Sequence, residues 1–125
     1  MYKILLVGFG GFLGAVSRFG LAHLIRQYFA HPFPLATFTV NFLGCLGIGL
    51  LFEIFKNHEL FPTLALFIVV GFLGSFTTFS TFSFETVELA RRQYLLLASA
   101  NIIGSVVLCL SGVLVGEWIG RLLRV

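Results

Sequence analysis

Gly71-Phe72-Leu73-Gly74-Ser75-Phe76-Thr77-Thr78-Phe79-Ser80-Thr81-Phe82-Ser83-Phe84-Glu85 sits inside a long apolar run, yet it is crowded with polar groups. From Ser75 to Ser83 only Phe76, Phe79 and Phe82 lack a hydroxyl. Glycine and hydroxyl side chains loosen a helical hydrogen-bond ladder. At membrane depth a loosened backbone is tolerated only where protein or a water-filled space satisfies the freed carbonyls. The stretch therefore predicts a membrane helix broken near Gly74 to Thr78, with a buried site at the break.

The surrounding chain supplies the membrane. Of its 125 residues, 58% are apolar and 10% charged, against about 25% charged in an ordinary soluble domain. So little charge cannot clothe a small fold in water. Windows of bilayer length give four spans, at about residues 4–25, 35–55, 62–90 and 94–119, forming one four-helix transmembrane domain over residues 1–125. Pro32 and Pro34 punctuate the first loop, and Pro62 stands where a helix accepts proline best, at its start. The short loops make sequential helices antiparallel neighbours. The first segment resembles a signal peptide in hydropathy but lacks a small-residue cleavage site, so it is expected to remain as a span. The predicted fold class is an all-α, multi-pass membrane protein.

Charge does not orient it. Lys3, Lys56, Arg121 and Arg124 fall on one side, and Arg26, Arg91 and Arg92 on the other, with Arg18 inside the first span nearer the second side. The positive-inside rule needs a clear excess, and there is almost none. A chain without bias is expected to insert both ways and to pair as an antiparallel homodimer. Such a dimer supplies from two copies the inverted symmetry that many transporters hold in one chain.

Aromatic and amide groups complete the polar set. Phe76, Phe79 and Phe82 recur at three-residue steps and are expected on one helical face. Their positive ring edges, beside hydroxyl donors, suit an anion path that carries no full charge to trap the ion. Asn41, mid-span in Thr37-Phe38-Thr39-Val40-Asn41, offers two amide donors, or glues two helices. Asn101, Ser105 and Ser111 give the last span a weaker polar track. Glu85 reads as a proton or cation site, or as an ion-pair partner for a nearby arginine. Arg18 reads as structural, snorkelling or capping carbonyls.

Other readings fall away. Gly8-Phe9-Gly10-Gly11-Phe12-Leu13-Gly14 fails the dinucleotide fingerprint at Leu13, and Gly10 with Gly14 instead makes a helix-packing pair. The basic residues form no stripe for nucleic acid. No catalytic triad, paired-carboxylate or His-x-x-x-His arrangement appears, so an enzyme is not expected. Cys45 and Cys109 read as separate small packing residues, without ligand spacing for a metal or a disulfide. A proton-driven multidrug exporter would need an acid in the first span, and none precedes Glu53. A proton-coupled small-anion exchanger, using Glu85 or Glu88, and a structural subunit of a membrane complex remain as alternatives.

Gly10-Gly11-x-x-Gly14-x-x-x-Arg18, Thr39-x-Asn41 and Thr77-Thr78-Phe79-Ser80-Thr81-Phe82-Ser83-x-Glu85 resemble the Fluc (CrcB-type) fluoride channels of microorganisms, over essentially the whole chain. That resemblance implies an antiparallel homodimer in the cell membrane, with two pores that export fluoride passively from the cytoplasm. It implies that Phe79 and Phe82 line the pore with rings from both subunits, that Asn41 is an amide donor at its vestibule end, and that Ser80, Thr81 and Ser105 form a hydroxyl track. Glu85 would be the vestibule carboxylate. Backbone carbonyls of Gly74 and Thr77 from both subunits would hold a structural sodium ion on the dimer axis. Two positions depart from the family pattern. Ser75 stands where glycine is common, which would distort the sodium site if that position needs a glycine-only conformation. Cys109 stands where threonine is frequent, and a thiol is a weaker donor.

Overall fold

The computed structural model describes residues 1–123 and is helical throughout, with no strand among the described residues. Helix α1 runs Tyr2–Tyr28 and α2 runs Leu35–Phe55. The third span, Phe61–Arg91, is composite. It begins as α3 (Phe61–Ala65), widens into a π-helical segment (Leu66–Leu73), tightens to the turn α4 (Gly74–Phe76), and resumes as α5 (Phe79–Arg91). Helix α6, Leu95–Leu123, closes the chain as described. Arg124, counted in the charge balance, lies outside the described residues.

All four spans are long and apolar enough to cross a bilayer, so the chain is a multi-pass membrane protein. The window of α2 matches its helix, whereas α1 and the C-terminal end of α6 overrun theirs. At 1.5 Å per residue the 27 residues of α1 reach about 40 Å, beyond the roughly 30 Å hydrocarbon layer. The excess carries Arg26-Gln27-Tyr28, which hydropathy discards but helix geometry keeps. Pro62 occupies the first turn of α3 as expected.

Glycine sets how closely the helices approach. A Cβ on Gly10 or Gly14 would strike the backbone carbonyl of Phe67 or Phe72, so α1 lies directly on the π segment. The same holds between α2 and α6, where Gly116 faces the Leu46 carbonyl and Gly49 faces that of Val113. Those contacts advance together along both chains, from Phe42 with Gly112 to Glu53 with Gly120, so α2 and α6 run parallel. Small residues that let backbones touch are the main source of packing between helices in lipid, where burial itself contributes little.

The break falls at Thr77 and Thr78, inside the expected window. Both are extended, with φ/ψ of −77°/156° and −149°/115°. Its position overturns one expectation. Phe76 precedes the break, is buried and stacks on Phe72 with ring centroids 5.8 Å apart, so it does not continue the face of Phe79 and Phe82. Ser75 lies in the right-handed turn α4, and Gln93 alone among the described non-glycine residues has positive φ. Serine at position 75 therefore meets no glycine-only backbone.

Candidate functional site

Asn41 and Thr78 organise the break. The Asn41 amide Nδ2–H donates to the Thr78 carbonyl at 3.0 Å, and the Thr78 N–H donates back to Asn41 Oδ1 at 2.7 Å. The amide from α2 thus closes both ends of one unravelled peptide, the gluing role open to a mid-span asparagine. Its second amide hydrogen has no partner among the described residues. Thr78 also caps α5: its Oγ1 accepts from the Thr81 N–H at 3.2 Å and donates to Thr81 Oγ1 at 3.0 Å, with Ser80 Oγ 3.3 Å away. A threonine N-cap is a common start for a helix.

These bonds have a consequence for the carbonyls. In an unbroken helix the Thr78 N–H would serve the Gly74 carbonyl and the Thr81 N–H the Thr77 carbonyl. Here the first goes to Asn41 and the second to the Thr78 hydroxyl. Among the described residues neither Gly74 O nor Thr77 O receives a backbone donor across the break. Gly74 is exposed, so the residue that carries one freed carbonyl lies at the surface of the four-helix unit. The Thr77 side chain turns back to the Leu73 carbonyl at 3.0 Å.

Two cavities flank Thr78, which is itself buried. One, of about 270 Å³, is bordered by Asn41, Phe79, Phe82 and Ser105, together with Cys45 and Cys109. The Phe79 and Phe82 rings stand 5.4 Å apart and tilted by 41°. Phe82 is half-buried, whereas Phe79 is 79% exposed. The other cavity, of about 250 Å³, is bordered by Arg18, Arg26, Thr37, Thr78 and Thr81. The hydroxyls expected to form one track are thus divided: Ser105 borders the first cavity and Thr81 the second, while Ser80 is exposed at the start of α5.

Behind Ser105 runs a chain of bonds. Ser105 Oγ donates to Asn101 Oδ1 at 3.4 Å, Asn101 Nδ2 to Thr86 Oγ1 at 2.9 Å, and Thr86 Oγ1 to the Phe82 carbonyl at 2.7 Å. It ties α6 to the helix that carries the rings. Ser111, counted with this track from sequence, is exposed and takes no part. Thr86 was not singled out; its signal was its place four residues after Phe82, the spacing at which a hydroxyl reaches a helical carbonyl. Thr37, buried beside the second cavity, was also missed.

The charged candidates lie toward one end. Arg26 Nη2 approaches Glu85 Oε1 at 3.8 Å, as an ion-pair reading of Glu85 expects, while Glu85 Oε2 is buried without a hydrogen-bond partner. Both border a third cavity of about 380 Å³ that also contains His31, Glu88 and Arg92. Arg18 is half-buried and, among the described residues, makes no hydrogen bond or ion pair, so it does not cap carbonyls. It borders the second cavity instead. Cys45 and Cys109, read from the sequence as separate packing residues, border the same cavity.

The profile of the CrcB-like protein family, Camphor Resistance (CrcB), matches residues 5–117. Curated relatives named fluoride-specific ion channel FluC align almost end to end. The one from Campylobacter jejuni subsp. jejuni serotype O:6 is 45% identical over 117 residues, covering 94% of this chain and 93% of that protein. The one from Nitratidesulfovibrio vulgaris (Miyazaki F) is 41% identical over 123 residues, covering 98% and 99%. A third, from Dehalococcoides mccartyi (BAV1), is 42% identical over 125 residues, covering 99% and 96%.

Proposed function

The chain belongs to the CrcB family, whose curated members named above are ion channels and not enzymes, and from that premise we propose that it is a passive, fluoride-selective channel. Fluoride leaves the cytoplasm through it, down its own gradient. The observation that carries this reading is the cavity at the break, where two phenylalanine rings and a half-buried amide meet at membrane depth. A small, strongly hydrated anion must exchange water for other donors if it is to enter lipid depth. The free amide hydrogen of Asn41 and the hydroxyls around Thr78 are such donors, and the ring edges of Phe79 and Phe82 add positive potential without a trapping charge. Ser80, Thr81 and Ser105 extend the hydroxyl surface, and Glu85 marks the vestibule. Arg18 keeps a structural role and lends positive potential to the neighbouring cavity.

The working unit in this proposal is an antiparallel homodimer with two pores. Its support is the exposed Phe79 ring and the freed carbonyl of exposed Gly74, which lipid cannot satisfy. A second copy brings both groups under cover. Sodium fits the same place: Gly74 O and Thr77 O are hard oxygen ligands released from helical bonding, and Ser75 leaves the backbone there regular. Bound sodium would supply a fixed positive charge on the dimer axis, and the carbonyls of both subunits would hold it. Glu88 is matched to Arg91 and Arg92, which favours a channel over an exchanger that must protonate Glu88 in each cycle.

Fluoride release from liposomes containing the purified protein, followed with a fluoride electrode at equal pH inside and out, tests the reading. Rapid release with chloride retained is expected, and Phe82→Ile should slow it at least tenfold, about 1.4 kcal/mol of barrier. No release, or release that requires a pH difference, overturns the proposal.

A further inference from the structure

Cys45 and Cys109 lie 64 positions apart, on different helices, yet the parallel packing of α2 on α6 brings them together. Asn41 and Ser105, one turn earlier on each helix, border the same cavity as the two cysteines, and Gly49 meets Val113 one turn later. Both thiols are free and half-buried, and each is within the other's influence. They share the wall of a cavity of about 270 Å³ with the Phe79 and Phe82 rings, so a small reagent has room to reach both.

We propose that Cys45 and Cys109 form a dithiol site in the wall of the cavity beside Phe79 and Phe82, suited to one soft, thiophilic centre that two thiols satisfy, such as a monosubstituted trivalent arsenical. The number of ligands selects that class. Among the described residues no group of three or more His, Cys, Asp or Glu converges, so a zinc-type site with four ligands has nothing to complete it. Soft centres take sulfur ligands in preference to the hydroxyls and amide around them. Charge points the same way. Two neutral thiols condense with R–As=O to give R–As(S–Cys)2 and one water; two S–H bonds break, two As–S bonds form, and arsenic keeps its oxidation state. Reactants and product are all uncharged, so the reaction places no bare charge in a low-dielectric wall. The bound group fills the cavity, and it blocks flux if that cavity conducts, a consequence that rests on the function proposed above.

Phenylarsine oxide added to the full-length protein in detergent, with intact mass spectrometry as readout, decides the site. One arsenical per chain is expected, retained against excess monothiol and removed by a dithiol competitor. Cys45→Ala and Cys109→Ala should each lose it, and Cys45→Ser and Cys109→Ser provide folded alternatives should an alanine variant fail. An unmodified wild-type chain, or an adduct kept against monothiol by either single-cysteine protein, overturns the proposal. Fluoride flux of the modified wild-type protein is measured in parallel and should fall at least tenfold, with both single variants resistant. Undiminished flux with the adduct in place overturns the pore position of the pair. A protein that never conducted fails the channel reading alone, since the mass shift still decides the site.

Discussion

Asn41 is the side chain from a neighbouring helix that pairs the extended backbone at the break. Its carboxamide matches the donor and acceptor of Thr78, so the extended peptide keeps both hydrogen bonds where lipid could offer none. Removing it strands the Thr78 N–H and carbonyl. Leaving buried polar groups unpaired costs about 1–3 kcal/mol each when no water enters. Asn41→Ala is therefore expected to lower stability by about 2–6 kcal/mol in an SDS unfolding titration and to cut fluoride release at least tenfold. Wild-type stability and flux would show that the pairing does not hold the break. That asparagine had to find partners was legible in the sequence; which partner was not, because it lies 37 residues away and depends on how α2 packs. The thiol pair was illegible for the same reason, as ligand spacing along a chain says nothing about residues on parallel neighbouring helices. Phe76 was misplaced because a three-residue period implies one face only while the helix continues, and the break falls directly after it.

Among the elements, the third span is the unusual one, and the helices around it are shaped to hold it. Its π segment lies on α1 through Gly10 and Gly14, with no room for a Cβ at either. Gly20, further along α1, has nothing within 4 Å. Gly14→Ala should force α1 away from Phe72 and cost about 1–3 kcal/mol, the usual penalty for overpacking. Gly20→Ala should be neutral or mildly stabilising, because alanine favours helix. Equal effects of the two in thermal unfolding would contradict the packing. The break itself was legible, since hydroxyls and glycines at membrane depth left few alternatives. The π geometry before it was not, because Leu66–Leu73 reads as an unremarkable apolar run. The four spans were read correctly in number, and the second also in its bounds; the ends of the first and the far end of the last fell short because hydropathy windows stop at the first charges while helices continue through the interface.

For the whole molecule, the proposed channel takes two copies of the chain to complete its conduction path. A ring 79% exposed and a freed carbonyl on an exposed glycine are poor surfaces to leave in lipid, and in the proposed dimer a second copy related by a two-fold axis in the membrane plane would cover both. The near balance of Lys3, Lys56, Arg121 and Arg124 against Arg26, Arg91 and Arg92, with Arg18 nearer the second group, permits the two insertions that such a dimer needs. The pores of an antiparallel pair look alike from either side, so the account makes an electrical claim as well as a chemical one. Single-channel recording in a planar bilayer tests it most directly, with a tenfold fluoride gradient and equal chloride on both sides. The account predicts a reversal potential close to the fluoride limit of about 59 mV, and, in symmetric fluoride, currents of equal size at either polarity. Reversal at zero, or single channels that rectify, would contradict it.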